Sequence, residues 1–202
     1  MKRQKNNKQM LRRQFLRSGL IGGVALLTGV GMLLSKGIAS AGPEEVDQMG
    51  ISALIKALRS TGNAACLSAA DKLEASRASN TDYDLHLRNA GLGAVDAEII
   101  AGALRQASLC EGPALRSFSM SYNPGLTDAG VVALAQAFPP SLTELGLVEC
   151  AIGDEGGAAL LRWGKQAVGL QIICVEGNRF SARIKKGFAS LAQERKNLLV
   201  VA

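Results

Sequence analysis

Asp84, His86 and Ser119 are the residue types of a nucleophilic hydrolase, and His86 is the single histidine of the chain. In such a site an aspartate orients an imidazole and the imidazole takes the serine proton, through contacts of about 2.6–3.2 Å. The alternation Asp84-x-His86 puts both side chains on one face of a strand, where they stand roughly 7 Å apart. That separation is too great for the orienting hydrogen bond. No strained nucleophile turn or oxyanion-hole motif accompanies Ser119. The sequence also has no phosphate loop and no dinucleotide fingerprint. The four cysteines, Cys66, Cys110, Cys150 and Cys174, show no two-residue spacing, so a zinc site is not expected. The chain is expected to be a non-enzyme with no cofactor and no metal.

The elements that would position these residues are set by an internal repeat. Leu115, Leu142, Leu170 and Leu198 open four similar blocks, spaced 27, 28 and 28 residues. Behind the leader comes Leu142-x-x-Leu145-x-Leu147-x-x-Cys150-x-Ile152, matched by Phe118, Met120 and Asn123 in the block before. The next block reads Leu170, Ile173, Val175, Asn178 and Phe180, and a weaker first block reads Leu85, Leu87, Ala90 and Leu92. Alternation at Leu145-x-Leu147 is strand periodicity. Gly153 or Asp154 then starts a helix rich in Ala and Leu. Thr127-Asp128 and Ser181 offer capping chemistry in the neighbouring blocks. Each block is a strand, a turn and a helix, and stacked blocks give a parallel sheet with an outer helical layer. Parallel strands are predicted near residues 85–87, 118–120, 145–147 and 173–175. The Asn or Cys at the end of each strand must satisfy buried backbone groups of the turn.

This pattern resembles the leucine-rich repeat family in its ribonuclease-inhibitor-like subtype. The resemblance spans roughly residues 82 to 202 and implies an α/β solenoid that binds protein on its concave sheet. The expected organisation is residues 1–41 as a signal peptide, 42–81 as a helical cap and 82–202 as the repeat domain. In the cap, Ile51, Leu54, Ile55 and Leu58 fall at i, i+3, i+4 and i+7, which is an amphipathic helix. Gly62 stops it, and a second helix is expected over Leu67–Leu73. Leu198–Ala202 starts a fifth block as an apolar strand, which leaves a monomer or an edge-paired dimer open.

The first forty residues read as an address. Met1–Arg17 has seven basic residues and no acid, and Ser18–Ser35 has no charge. The junction Arg12-Arg13-Gln14-Phe15-Leu16-Arg17 resembles the twin-arginine export signal, with Arg12, Arg13, Phe15 and Leu16 on the matching positions. Ala39-Ser40-Ala41 is a small-x-small cleavage site. The resemblance implies export after folding, to the periplasm or outside the cell. The competing reading is a retained anchor, since eighteen uncharged residues can just span a bilayer. Residues 42–202 carry 15 basic and 17 acidic residues, so the sequence pI of about 9.4 belongs to the address. A nucleic-acid role loses its charge argument, and any membrane contact is expected only through the signal segment.

Counting along the aligned strands gives the outward side chains: Asp84, His86 and Arg88; Ser117, Ser119, Ser121 and Tyr122; Glu144, Gly146, Val148 and Glu149; Cys174, Glu176 and Gly177. The expected partner-binding set is Tyr122, His86, Arg88, Ser119, Ser121, Glu144, Glu149 and Glu176, with Tyr122 as the aromatic anchor. Cys150 is expected to be a buried thiol; Cys174, pointing to the concave face, is an exposed-thiol candidate or, in the favoured reading, a plain small side chain. Export to an oxidising compartment would allow a Cys66–Cys110 bridge. The function expected is an exported repeat module that binds an unidentified protein. The alternatives are a membrane-anchored scaffold, or an enzyme inhibitor or enzyme built on the same frame.

Overall fold

The structure, a computed structural model, describes residues 43–79, 81–108 and 113–202. Expectations for Arg12, Arg13, Phe15, Leu16, Ala39 and Ala41 lie outside the described residues, as does Cys110. Two helices come first, α1 (Pro43–Ser60) and α2 (Ala64–Ser76), followed by a single 3-10 turn at Arg77–Ser79. Ile51, Leu54, Ile55 and Leu58 form the buried stripe of α1, as their spacing requires. Gly62, at φ +65°, ends that helix in the left-handed region. Asn63 then caps α2, its Oδ1 accepting from the Ala65 and Cys66 N–H groups at 2.9 and 3.4 Å. Its Nδ2 donates to the Ala90 carbonyl at 2.7 Å, which ties the cap to the first repeat.

Five strands alternate with four further helices. They are β1 (Tyr83–His86), α3 (Ala94–Ala107), β2 (Leu115–Ser119), α4 (Thr127–Ala135), β3 (Glu144–Gly146), α5 (Asp154–Gln166), β4 (Ile172–Cys174), α6 (Ala182–Glu194) and β5 (Leu199–Val201). The strands are parallel and lie in chain order in one sheet. The fold is therefore the expected α/β repeat solenoid. Strands begin a residue or more earlier than their leucines suggest. Their ladder continues past the strand ends, as in Leu87 N–H to Ser119 O and Met120 N–H to Gly146 O. Among the described residues no helix is long and apolar enough to cross a membrane.

The core is a set of rows perpendicular to the strands. Leu85, Phe118, Leu145, Ile173 and Val200 stand in register across all five strands. A second row, Leu87, Met120, Leu147 and Val175, is fully buried. Each such side chain contributes roughly 1.5–3 kcal/mol by leaving water. Phe118, Phe138 and Trp163 add an aromatic chain with ring centroids 5.1 Å apart at each step.

Two polar ladders hold the repeats in register. Asn123 Oδ1 accepts from the N–H groups of Ala90 and Leu92, both at 3.0 Å, and its Nδ2 donates to Leu87 O and Met120 O. Asn178 does the same two repeats on. It accepts from Cys150 and Ile152 at 2.9 and 3.1 Å and donates to Leu147 O and Val175 O. Cys150 is buried in the equivalent place, and its Sγ donates at 3.3 Å to Met120 O and Val148 O. The second ladder corrects the expected capping. Thr127 and Ser181 make no side-chain cap to their own helices. Asp128 instead accepts from Gly153 and Gly156 N–H at 2.8 and 2.7 Å, capping the helix of the next repeat. Asp154 does the same toward Ser181 N–H at 2.8 Å. A carboxylate at a helix N-terminus also opposes the helix dipole. Gly156 leaves the room for this, since a Cβ there would stand 2.8 Å from Asp128 Oδ1.

The two kinds of ladder residue should separate in stability. Asn178→Ala strands two N–H donors and two carbonyls, and is expected to cost about 2–4 kcal/mol. Cys150→Ala loses only a weak thiol donor and should cost about 1–2 kcal/mol. Urea unfolding of both variants checks this; equal losses would remove the backbone-satisfaction argument.

Candidate functional site

The sheet face opposite the leucine rows carries the polar side chains. Strand alternation places Asp84 and His86 there from β1, Ser117 and Ser119 from β2, and Glu144 from β3. Register sets Asp84 opposite Ser117 and Ser117 opposite Glu144, while His86 stands opposite Ser119. The imidazole nevertheless reaches diagonally. His86 Nε2 is 2.9 Å from Ser117 Oγ, and Ser117 Oγ donates to Glu144 Oε2 at 3.1 Å. Three neighbouring strands are thus joined by one side-chain chain of hydrogen bonds.

Ser119 takes no part in that chain. Its hydroxyl donates to Ser121 Oγ at 3.3 Å, and Ser121 Oγ accepts the Val148 N–H at 3.1 Å. Both serines, expected to be exposed binding residues, are buried, at 1% and 0% exposure. Short side chains whose hydroxyls bond to each other and to the backbone do not reach solvent past longer neighbours. The outward placement expected for Cys174 is also corrected. Cys174 is buried between Gly146 and Val201 in register, with Ile172 two residues back on its own strand. Cys66 is a buried thiol; Cys110, its expected partner, lies outside the described residues. Burial pushes the Cys150 thiol up to about 11, which keeps it inert.

A rim borders this face where each strand turns outward. Asn89, Tyr122, Glu149 and Gly177 occupy equivalent positions, all in the left-handed region at φ +49°, +65°, +52° and +74°. The first three pass their N–H groups to the next repeat, at Ser121 O, Val148 O and Glu176 O. The turn therefore imposes a conformation that only glycine adopts freely. Keeping tyrosine and glutamate there stores strain, a feature that clusters at binding positions. The Arg88 guanidinium lies 5.5 Å from the Tyr122 ring centre, a cation–π distance. Glu149 is exposed, and its side chain runs over Gly177, where a Cβ would meet Glu149 Cγ at 2.5 Å. Arg88, Tyr122, Glu144 and Glu176 are half-buried. Sequence alternation missed Ser117 as the partner of His86.

The electrostatics oppose charge in the middle of the face. Burial lowers the His86 pKa; nearby Asp84 resists this, and Arg88 and Lys72 reinforce it. Burial raises the Glu144 pKa, with Ser117 opposing and Asp84 adding to it. The face therefore favours a neutral imidazole. Its arrangement does not make a nucleophile: Ser117 is 4% exposed and donates its proton to a carboxylate. Among the described residues no group of His, Cys, Asp and Glu could hold a metal. An open groove lies elsewhere, bordered by Val168, Gln171 and Lys196. Its Arg195 guanidinium is committed to the carbonyls of Gly164, Val168 and Leu170.

The sign of a pH dependence follows. A histidine with a lowered folded pKa penalises the folded state at acid pH, where both states hold the proton. The penalty is relieved as pH rises from the lowered folded value to the ordinary value near about 6.5. Glu144, raised in the fold, acts oppositely, and its penalty grows as pH rises from the ordinary carboxylate range through its folded value. His86→Gln should therefore remove a gain of stability with pH and leave the Glu144 loss exposed. Thermal melting of both proteins between about pH 4 and about pH 7 reads this directly; parallel curves would show that His86 does not titrate with folding.

Comparison with known proteins bears on the repeats themselves. No curated protein matches the chain. Residues 113–135 and 138–161 match the family model described as Leucine Rich repeat. Those segments cover β2 with α4 and β3 with the first part of α5. Two matched repeats, in a five-stranded parallel sheet backed by helices, fit a leucine-rich repeat protein.

Proposed function

We propose that the chain is an exported module that holds another protein against the polar face of its sheet. The observation that carries this is the His86–Ser117–Glu144 chain bordered by the Arg88–Tyr122 pair, on a face free of the leucine rows. Leucine-rich repeats suggest a protein-interaction module, which agrees with this surface. Tyr122, Arg88, His86, Glu144, Glu149 and Glu176 would touch the partner, and Ser119 and Ser121 would brace the strands beneath. Partly buried aromatic and guanidinium groups are the usual anchors of such contacts. Export rests on the resemblance of Arg12–Arg17 to a twin-arginine signal and on Ala39-Ser40-Ala41. The uncharged Ser18–Ser35 supports a second reading, in which the same module stays tethered to the membrane.

Binding and stability should part in two variants. Tyr122→Ala and Glu149→Ala are expected to lower partner capture from envelope extracts at least tenfold. Their unfolding free energies should change by no more than about 1 kcal/mol. Normal capture by both would move the binding surface off this face. For export, Arg12→Lys with Arg13→Lys should leave the chain in the cytoplasm with its fold intact. Mass spectrometry of the wild-type envelope fraction should find Gly42 as the first residue. An intact Met1 in the membrane pellet would instead support the tethered form.

A further inference from the structure

Ser117 has a single hydroxyl proton, and where that proton points decides the state of two neighbours. Its strand lies between β1 and β3, in register with Asp84 on one side and Glu144 on the other. The side chain is buried, which keeps its hydroxyl to these near partners. Its Oγ is 2.9 Å from His86 Nε2 and 3.1 Å from Glu144 Oε2. A hydroxyl has one proton to give and lone pairs with which to accept, whereas an ionised carboxylate only accepts. While Glu144 is ionised, the Ser117 proton must point to it, and the Ser117 oxygen is left to accept. The bond to His86 is then made by Nε2–H. A neutral imidazole carries one N–H, so Glu144, acting through Ser117, fixes which nitrogen of His86 is protonated.

The arrangement reverses when Glu144 takes up a proton. The carboxyl group then has an O–H to donate to Ser117 Oγ. Ser117 turns its own proton to His86 Nε2, which must be bare to accept it. The proton count closes: one proton enters from solvent at Glu144, and the imidazole gives up Nε2–H and takes one at Nδ1 with no change of charge. A second proton gives the imidazolium, in which both nitrogens donate. Asp84 on β1, Arg88 just past it and Lys72 on α2 act on His86 through space, and Asp84 acts on Glu144. From β4 the residue in register with Glu144 is Ile172, which carries no charge. Burial lowers the pKa of His86 and raises that of Glu144, which draws the two titrations toward one range of pH.

We propose that His86, Ser117 and Glu144 form an acid-sensitive switch on the sheet face, in which Ser117 relays the protonation of Glu144 to the imidazole. Its meaning for a partner rests on the reading of this face as the binding surface. A partner there would meet an anionic Glu144 near neutral pH and a neutral one in mild acid, with the imidazole changed in step. Ser117 is the positioning residue of the switch.

His86 is the single histidine of the chain, so isotope labelling of histidine in the full chain and nitrogen NMR report its ring alone. Near neutral pH the Nε2–H form should exceed the Nδ1–H form by roughly tenfold or more, because its hydrogen bond belongs to a chain that ends on a charged group. Glu144→Leu removes the acceptor of the Ser117 proton, and the Nδ1–H form should become the major one. Glu144→Gln should lower the pH at which His86 titrates when Ser117 is present, and should leave it unmoved in a Ser117→Ala chain. Circular dichroism confirms that the variants fold. The proposal falls if wild-type His86 is in the Nδ1–H form near neutral pH, a result that needs no variant. It falls as well if Glu144→Leu keeps the wild-type ratio. Equal shifts from Glu144→Gln with and without Ser117 would overturn it too, since they mark a through-space charge effect alone. No partner enters these spectra, so failure of the switch and failure of capture through Tyr122 are read separately.

Discussion

Every repeat must bury the backbone where its strand becomes a turn, and the whole stack depends on finding hydrogen bonds for that backbone. The turn closes neither a helix nor a ladder, so its N–H and carbonyl groups need side-chain partners. An asparagine supplies two donors and an acceptor from one short side chain. Asn123 and Asn178 divide this between the neighbouring turn and the end of their own strand. That places the leucine rows in register and frees the opposite face from structural duty. The polar face can be varied because the asparagines, not its own residues, fix the strand spacing.

Much of this was legible in the residues. The 28-residue echo and the Leu-x-Leu alternation predict parallel strands, and the i, i+3, i+4 stripe of Ile51 to Leu58 predicts α1. Less legible were features that depend on exact register between distant residues. Asp128 looks like a cap for its own helix, yet it serves Gly153 and Gly156 one repeat later. His86 aligns with Ser119 by counting, but the stagger of a parallel pair lets it meet Ser117. Alternation gives the face of a residue and not its depth, which is why Ser119, Ser121 and Cys174 were expected in solvent and are buried. The rim was hidden for another reason. Nothing about tyrosine or glutamate announces a left-handed backbone; only Gly177, and the alignment of Tyr122 and Glu149 with it, carried that signal.

Cys150 breaks the asparagine ladder, and the turn it faces is the one that departs from the others. A thiol cannot accept the two N–H groups that Asn123 and Asn178 each accept. In the facing turn Asn123-Pro124-Gly125-Leu126, the proline has no N–H to satisfy. Leu126 N–H closes back on Asn123 O at 3.0 Å. The Asn123 N–H is left to the sulfur. The proline-containing turn and the cysteine therefore match each other across neighbouring repeats. An asparagine at 150 would meet a turn with one N–H fewer to satisfy, and a regular turn would present two N–H groups to a sulfur that is only a weak acceptor. A regular turn at 123–126 facing an unchanged thiol would leave a buried N–H poorly satisfied, so the two positions are coupled through the backbone they share.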